Sequence, residues 1–215
     1  VDCGFRVMIG VYGGTFDPVH IGHLRTALEI KEALQLEKVL FVPCGQPSHK
    51  NAPIACAEYR SKMLALAIHS VPGFQVDRRE FNREGYSYTV DTLVSLRKDY
   101  KDKTLCLIVG MDAFLGISHW YRWQSLFDLS HVVVMFRPGS HQKFTEPLEC
   151  LVKQRQTSTI ATLRTKLSGL IFFQQVTQLD ISSTRVRCMI RQGYSPRYLI
   201  PDKVWTMIRE QNVYK

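Results

Sequence analysis

The sequence contains no apolar run approaching the roughly 18 residues that would suggest a membrane span. Its longest runs are short, as in Val132-Val133-Val134-Met135-Phe136. Its six cysteines, Cys3, Cys44, Cys56, Cys106, Cys150 and Cys188, include no C-x-x-C pair and no zinc-like cluster. Several stand in apolar contexts, such as Cys106 in Leu105–Val109, and read as reduced thiols packed as small hydrophobes. That reading points to the cytoplasm. No secretory leader precedes the first strand-like run, so export is not expected. Val1 stands where a methionine would begin a chain; either a leader or tag has been removed or Met8 is the natural start. Internal repeats, low-complexity linkers and shifts of composition are also missing, which leaves one domain spanning residues 1–215.

What is present fits a soluble globular chain: 45% hydrophobic and 22% charged residues over 215 positions. The 28 basic and 19 acidic residues give a net charge of +9. Up to Phe136 the balance is 15 to 14, whereas from Arg137 onward it is 13 to 5. An anionic partner is one reading of that asymmetry, and a solvated basic face is the other.

Arg6–Tyr12 is β-rich and ends at Gly13-Gly14, as a buried strand would. Helical spacing of apolar residues follows in His23–Gln35, Arg60–Ile68 and Thr89–Leu96. Val39–Val42, Leu105–Val109, Val132–Phe136 and Leu170–Phe173 read as further buried strands, and Ser183–Arg191 and Asp202–Glu210 as helices. The alternation predicts an α/β fold, doubly wound about a parallel sheet. Pro138–Ser168 shows no clean period.

In such sheets ligands bind beyond the carboxyl ends of the strands. There the first strand runs into Gly13-Gly14-Thr15-Phe16-Asp17-Pro18-Val19-His20-Ile21-Gly22-His23. The two glycines allow a tight turn and close approach to a ligand. A helix N-terminus flanked by two imidazoles offers donors to phosphate. The string is neither G-x-G-x-x-G nor a P-loop, and no third or fourth metal ligand accompanies the histidines. Near the other end, Ile181-Ser182-Ser183-Thr184-Arg185-Val186-Arg187 opens a helix for which Ser182 or Ser183 is a suitable N-cap. Its hydroxyls, N–H groups and Arg187 can converge on phosphate oxygens.

The first string resembles the signature of the H-x-G-H nucleotidyltransferases, and in its fuller form that of the bacterial nicotinate-nucleotide adenylyltransferase family. Ile181–Arg187 matches that superfamily's second signature. Pro43–Lys50 resembles a family loop that usually ends in P-P-H-K, with Ser48 in place of a proline. Ser87–Leu93, Gly110-Met111-Asp112, Trp120-Tyr121 and Arg137-Pro138-Gly139 resemble further family segments, and Leu199–Tyr214 resembles its last helix.

The resemblance implies a Rossmann-like fold and transfer of the adenylyl group of ATP to nicotinate mononucleotide, in NAD biosynthesis. It implies that His20, His23 and Arg187 act in catalysis. Gly13, Gly14, Thr15, Phe16, Asp112, Ile181, Ser182, Ser183 and Thr184 would join them in binding ATP. His49, Lys50, Thr89, Trp120, Tyr121 and Arg137 would bind nicotinate mononucleotide. Tyr88, Asp91 and Thr92 would support the helix, and Asp112 could equally be an N-cap. Trp123 reads as core. Mg2+ is expected through the ATP phosphates, with no metal site of protein ligands. No nucleic acid or membrane partner is expected, and a homo-oligomer is allowed. The rivals are a sister transferase with another phosphorylated acceptor and a catalytically silent nucleotide or RNA binder. A class I aminoacyl-tRNA synthetase fragment ranks last, because no K-M-S-K-S string is present.

Overall fold

The computed structural model describes residues 6–47, 52–137, 144–177 and 179–215. Its centre is a parallel sheet of seven strands: β1 (Met8–Gly14), β2 (Lys38–Pro43), β3 (Phe74–Val76), β4 (Thr104–Gly110), β5 (His131–Phe136), β6 (Gln156–Thr157) and β7 (Ile171–Gln175). They stand in the order β3-β2-β1-β4-β5-β7-β6. The helices are α1 (Ile21–Ala33), α2 (Ala57–Ile68), α3 (Thr89–Asp99), α4 (Met111–Leu115), α5 (Leu126–Leu129), α6 (Leu148–Arg155), α7 (Ile160–Thr165), α8 (Ser183–Arg191) and α9 (Asp202–Glu210). Two 3-10 turns, Ile117–His119 and Trp123–Ser125, lie between α4 and α5.

A strand covered on both faces needs apolar side chains in both directions, which explains the unbroken runs. Successive residues of β4 alternate accordingly. Leu105, Leu107 and Val109 enter the core beneath α3 to α6, while Cys106 and Ile108 enter the core beneath α1, α2, α8 and α9. Central packing is close. A side chain at Gly10 would begin 2.9 Å from Ile108 and from Leu36, so only glycine lets these two meet across β1. Removing such a buried Ile or Leu side chain costs about 2–5 kcal/mol.

The expected strands and helices are all present, with boundaries moved by a few residues. β3 and α4 were not foreseen, being only three and five residues long. The stretch without a clean period holds α6, β6 and α7, too short to show one. Two polar side chains, the buried His131 and the partly buried Arg97, tie this stretch down. The His131 ring takes the Leu170 N–H at Nδ1 (3.0 Å) and faces the Leu163 carbonyl through Nε2 (3.0 Å). Arg97 donates to the carbonyls of Leu129 and Leu167. The burial of the cysteines differs from the sequence reading. Cys106 is fully buried, and burial pushes its thiol up to about 12. Cys56, the N-cap of α2, and Cys150 and Cys188, on α6 and α8, are exposed instead. Cys3 lies outside the described residues.

The strand order reverses between β1 and β4: from β1 the chain moves outward to β2, and from β4 to β5. The carboxyl ends of these two strands therefore diverge into a crevice, the position at which open α/β sheets bind ligands.

Candidate active site

A pocket of about 580 Å³ opens over that crevice. From β1 and the loop after it come Val11, Gly13, Gly14 and Thr15; Asp112 and Ala113 of α4 and Trp120 line another side. Thr89 and Thr92 of α3, with Ser87 and Glu80, complete it. A side chain at Gly13 would meet nothing within 4 Å, so that strand end borders open space. Neither glycine makes the tight turn expected of it. Both remain in register with β2, Gly13 beside Val42 and Gly14 beside Pro43. The left-handed residue is Phe16, at φ 50°, and its ring occupies the space a Gly14 side chain would need, 2.8 Å away.

The loop then delivers two histidines to the start of α1. His20 is the N-cap, and the pair closes a reciprocal box. The His20 N–H donates to Nδ1 of His23 (3.2 Å), and the His23 N–H donates to Nδ1 of His20 (3.3 Å). The rings stack 3.6 Å apart. Phe16 and Tyr12 pack edge-on against His23 at 5.1 and 6.4 Å. Burial lowers His20 from 6.5 to about 4, and burial with the neighbouring His20 charge lowers His23 well below 6.5. Both rings are thus neutral at physiological pH. Because each Nδ1 accepts a backbone N–H, each neutral ring carries its proton on Nε2. Gly22 makes the box fit, since a side chain there would begin 3.0 Å from His20 Nδ1.

The N-terminus of α8 stands beside that of α1. Ser182 is its N-cap, accepting the Arg185 N–H at 3.2 Å. Ser183 Oγ donates to the Pro18 carbonyl (2.8 Å), and Arg187 donates to the Asp17 carbonyl (2.6 Å) and to Thr184 Oγ1 (3.3 Å). The Ser183 O–H is therefore spent within the protein, whereas Ser182 and Thr184 accept there and keep their O–H groups to donate. What α8 can offer an anion is those two hydroxyls, the first-turn N–H groups of Ser183 and Thr184, which have no intrahelical acceptor, and the remaining guanidinium N–H groups. Ile181 contacts the same corner, 3.9 Å from where a Gly22 side chain would begin.

The remaining predicted residues divide. Trp120 and Thr89 line the pocket; Tyr121 does not, and is 52% exposed with its ring against Tyr88 at 4.6 Å. Asp112 lies in the first turn of α4 but Gly110 is the N-cap, so the capping alternative is set aside. Arg137 is exposed just beyond β5. His49 and Lys50 lie outside the described residues. Thr92 does more than support α3: it lines the pocket and donates to Glu80 at 2.6 Å. Trp123, read as core, is half-buried and packs edge-on against the buried Phe127 at the core's margin.

Three contributors were missed by sequence reasoning. Glu80 sits in a polar loop with no pattern to mark it. Ser87 receives the N–H groups of Gly45 and Gln46 at 3.1 and 3.3 Å, fixing one pocket wall. Arg60, only 1% exposed, donates to the carbonyls of Thr15 (3.0 Å), Cys44 (2.7 Å) and Ala55 (3.1 Å), and so holds the loop after β1 against that after β2. In sequence it is one more cation on a helix. Among the described residues no group of three or more His, Cys, Asp or Glu is placed to hold a metal ion.

A crevice at a strand-order reversal, with donors at two adjoining helix N-termini, describes a phosphate-binding α/β protein as a class. The cytidylyltransferase-like family model matches residues 11–189, which include both helix starts. A chain from Methylococcus capsulatus named "Probable nicotinate-nucleotide adenylyltransferase" is 48% identical over 96% of this chain and 99% of its own length. One of the same name from Aeromonas hydrophila is 42% identical over 96% and 97%. The solved Plasmodium falciparum nicotinic acid mononucleotide adenylyltransferase complexed with NaAD shares the fold. Its TM-score is 0.72 at 17% identity, over 97% of both chains. The chain belongs to the cytidylyltransferase-like family, in the branch whose curated members carry the name nicotinate-nucleotide adenylyltransferase.

Proposed function

We propose that this chain transfers the adenylyl group of ATP to nicotinate mononucleotide, giving deamido-NAD+ and pyrophosphate. The observation that carries the reading is the pair of neutral, Nε2-protonated histidines beside the α8 N-terminus, adjoining a pocket large enough for a nucleotide. A 5′-phosphate oxygen of the acceptor forms a bond to the α-phosphorus as the bond to the bridging oxygen breaks, and pyrophosphate takes the electron pair. The nucleophile is already anionic, so no general base is needed. The barrier lies in bringing anions together and in the charge that moves onto the phosphoryl and leaving oxygens.

His20 and His23 answer it with Nε2–H donors that keep their protons, and Arg187 with a fixed positive charge. The first-turn N–H groups of α8 hold the outer phosphates. Gly13, Gly14, Thr15 and Asp112 face the nucleoside, and Thr89 and Trp120 the pyridine. Mg2+ arrives with ATP as part of the substrate, carried by its phosphates. Residues 1–215 act as one nucleotidyltransferase domain in the cytoplasm, without a nucleic-acid partner. No described helix is long and apolar enough to cross a membrane.

The test is pyrophosphate release with Mg-ATP and either nicotinate or nicotinamide mononucleotide. Glu80 and Asp112 both line the pocket, so the amide arm is needed to weigh their charge against the acid. Release with the acid in clear preference is expected. Preference for the amide would change the substrate, and silence with both would overturn the reading.

A further inference from the structure

The loop that carries the histidines is anchored from a distant part of the chain. Asp17, 4% exposed, turns its carboxylate inward. Oδ2 accepts the Ile54 N–H (2.8 Å), and Oδ1 accepts the Ala55 N–H (3.1 Å) and the Tyr214 hydroxyl (2.6 Å). Tyr214 lies past α9, 197 positions away, buried in the core at 4% exposure. Its backbone is left-handed at φ 72°, a conformation a bulky residue adopts only where its surroundings impose it. Burial and the hydrogen bond to Asp17 push its hydroxyl well above the ordinary tyrosine range, so it remains a donor.

The same two loop residues seat the working side chains of α8. Arg187 rests on the Asp17 carbonyl and Ser183 on the Pro18 carbonyl. Arg187 also lies 3.9 Å from Asp17 Oδ2. The carboxylate that Arg187 faces is itself held by three donors from elsewhere in the chain, the Ile54 and Ala55 N–H groups and the Tyr214 hydroxyl. We propose that Tyr214 is a positioning residue for adenylyl transfer: through the Asp17 carboxylate, its hydroxyl sets where Arg187 and Ser183 stand relative to the histidine pair. This rests on the adenylyl-transfer reading of the site. Small displacements of such groups are costly in rate, because the stabilisation depends on donors already standing where charge develops.

Tyr214→Phe keeps the buried ring and deletes only the hydroxyl. In steady-state kinetics we expect kcat/KM for ATP to fall about tenfold, as for loss of a hydrogen bond to a charged group, with KM for the pyridine nucleotide unchanged. Binding of a non-hydrolysable ATP analogue should weaken in parallel. Tyr59→Phe, which removes another tyrosine hydroxyl (its partner is Gln211), should leave both as in the wild type. Once Asp17→Ala has removed the acceptor, adding Tyr214→Phe should cost nothing more. Wild-type kcat/KM for ATP and wild-type analogue binding in Tyr214→Phe would overturn the proposal, whatever happened to Tm. So would losses that multiply those of Asp17→Ala. If Asp17→Ala does not fold, the kcat/KM and analogue readouts of Tyr214→Phe decide alone. A wild-type chain that releases no pyrophosphate would sink the adenylyl-transfer reading instead, and analogue binding would still judge Tyr214.

Discussion

The two halves of the site are held in opposite ways. At the meeting of α1 and α8, nearly every polar side chain is fixed by another part of the protein: the histidines by each other's backbone, Ser183 by Pro18, Arg187 by Asp17. Behind the wall that Ser87 and Thr89 give the pocket, Tyr86 and Tyr121 are half exposed, and their contacts are ring against ring, Tyr86 to Tyr88 at 6.4 Å and Tyr88 to Tyr121 at 4.6 Å. Preorganised donors are needed where charge develops, because reorganising them would add to the barrier. Recognition of a flat ring asks only for apolar area and approximate stacking. In the proposed function the rigid half serves the reaction and the looser half the choice of acceptor.

The comparison is broken most directly by removing a donor from the rigid half. His23→Ala takes away one Nε2–H and the acceptor of the His20 N–H. We expect kcat to fall at least about a hundredfold, the usual cost of losing one transition-state donor. KM for the pyridine nucleotide should hardly change. Pyrophosphate release under saturating ATP measures this, and turnover near wild type would remove His23 from the mechanism.

The rigid half was also the more legible half. Gly13–His23 and Ile181–Arg187 are contiguous strings whose residue types state their use: a strand end, a helix start, imidazoles and hydroxyls. Even so, the strings did not reveal that Ser183 spends its O–H inside the protein and that Ser182 caps the helix. Nor did they show that Phe16, rather than glycine, makes the turn; the Ser183 bond and the turn each depend on a neighbour from elsewhere in the chain. The sheet was legible because its buried strands are apolar on both faces, whereas three-residue β3 and five-residue α4 were too short to carry a period. Arg60, Glu80 and Tyr214 were invisible for a shared reason. Their meaning lies in partners many positions away, and nothing in their immediate sequence distinguishes them from surface residues.

The looser half makes a smaller prediction. Trp120→Ala should raise KM for nicotinate mononucleotide several-fold with kcat within about a factor of two, as expected for a stacking contact worth about 0.5–1.5 kcal/mol. Tyr121→Ala should do less, because that ring leans on Tyr88 and does not line the pocket. Equal effects would return Tyr121 to the binding surface. A collapse of kcat in Trp120→Ala would erase the division between the two halves.

The effect that is smallest near neutral pH is one of protonation, and it tests whether the histidine box is as rigid as its geometry implies. Burial holds His20 at about 4 against 6.5 in the unfolded chain. Between those values the unfolded state binds a proton that the folded state refuses. Stability is therefore complete above pH 6.5, declines as pH falls through the window, and has lost this whole contribution by about pH 4. The slope is about 1.4 kcal/mol per pH unit within the window. His23 adds to the same trend, since a second imidazolium 3.6 Å from the first is opposed by both burial and repulsion. Ring-nitrogen NMR of the free protein should show both histidines neutral, with the proton on Nε2, from pH 7 down to about pH 5. A midpoint near 6.5 for either ring would mean that water reaches the box. The donors would then be imidazolium ions that change charge near neutral pH, and the contrast between a fixed and an adaptable half of the site would fail at its firmest point.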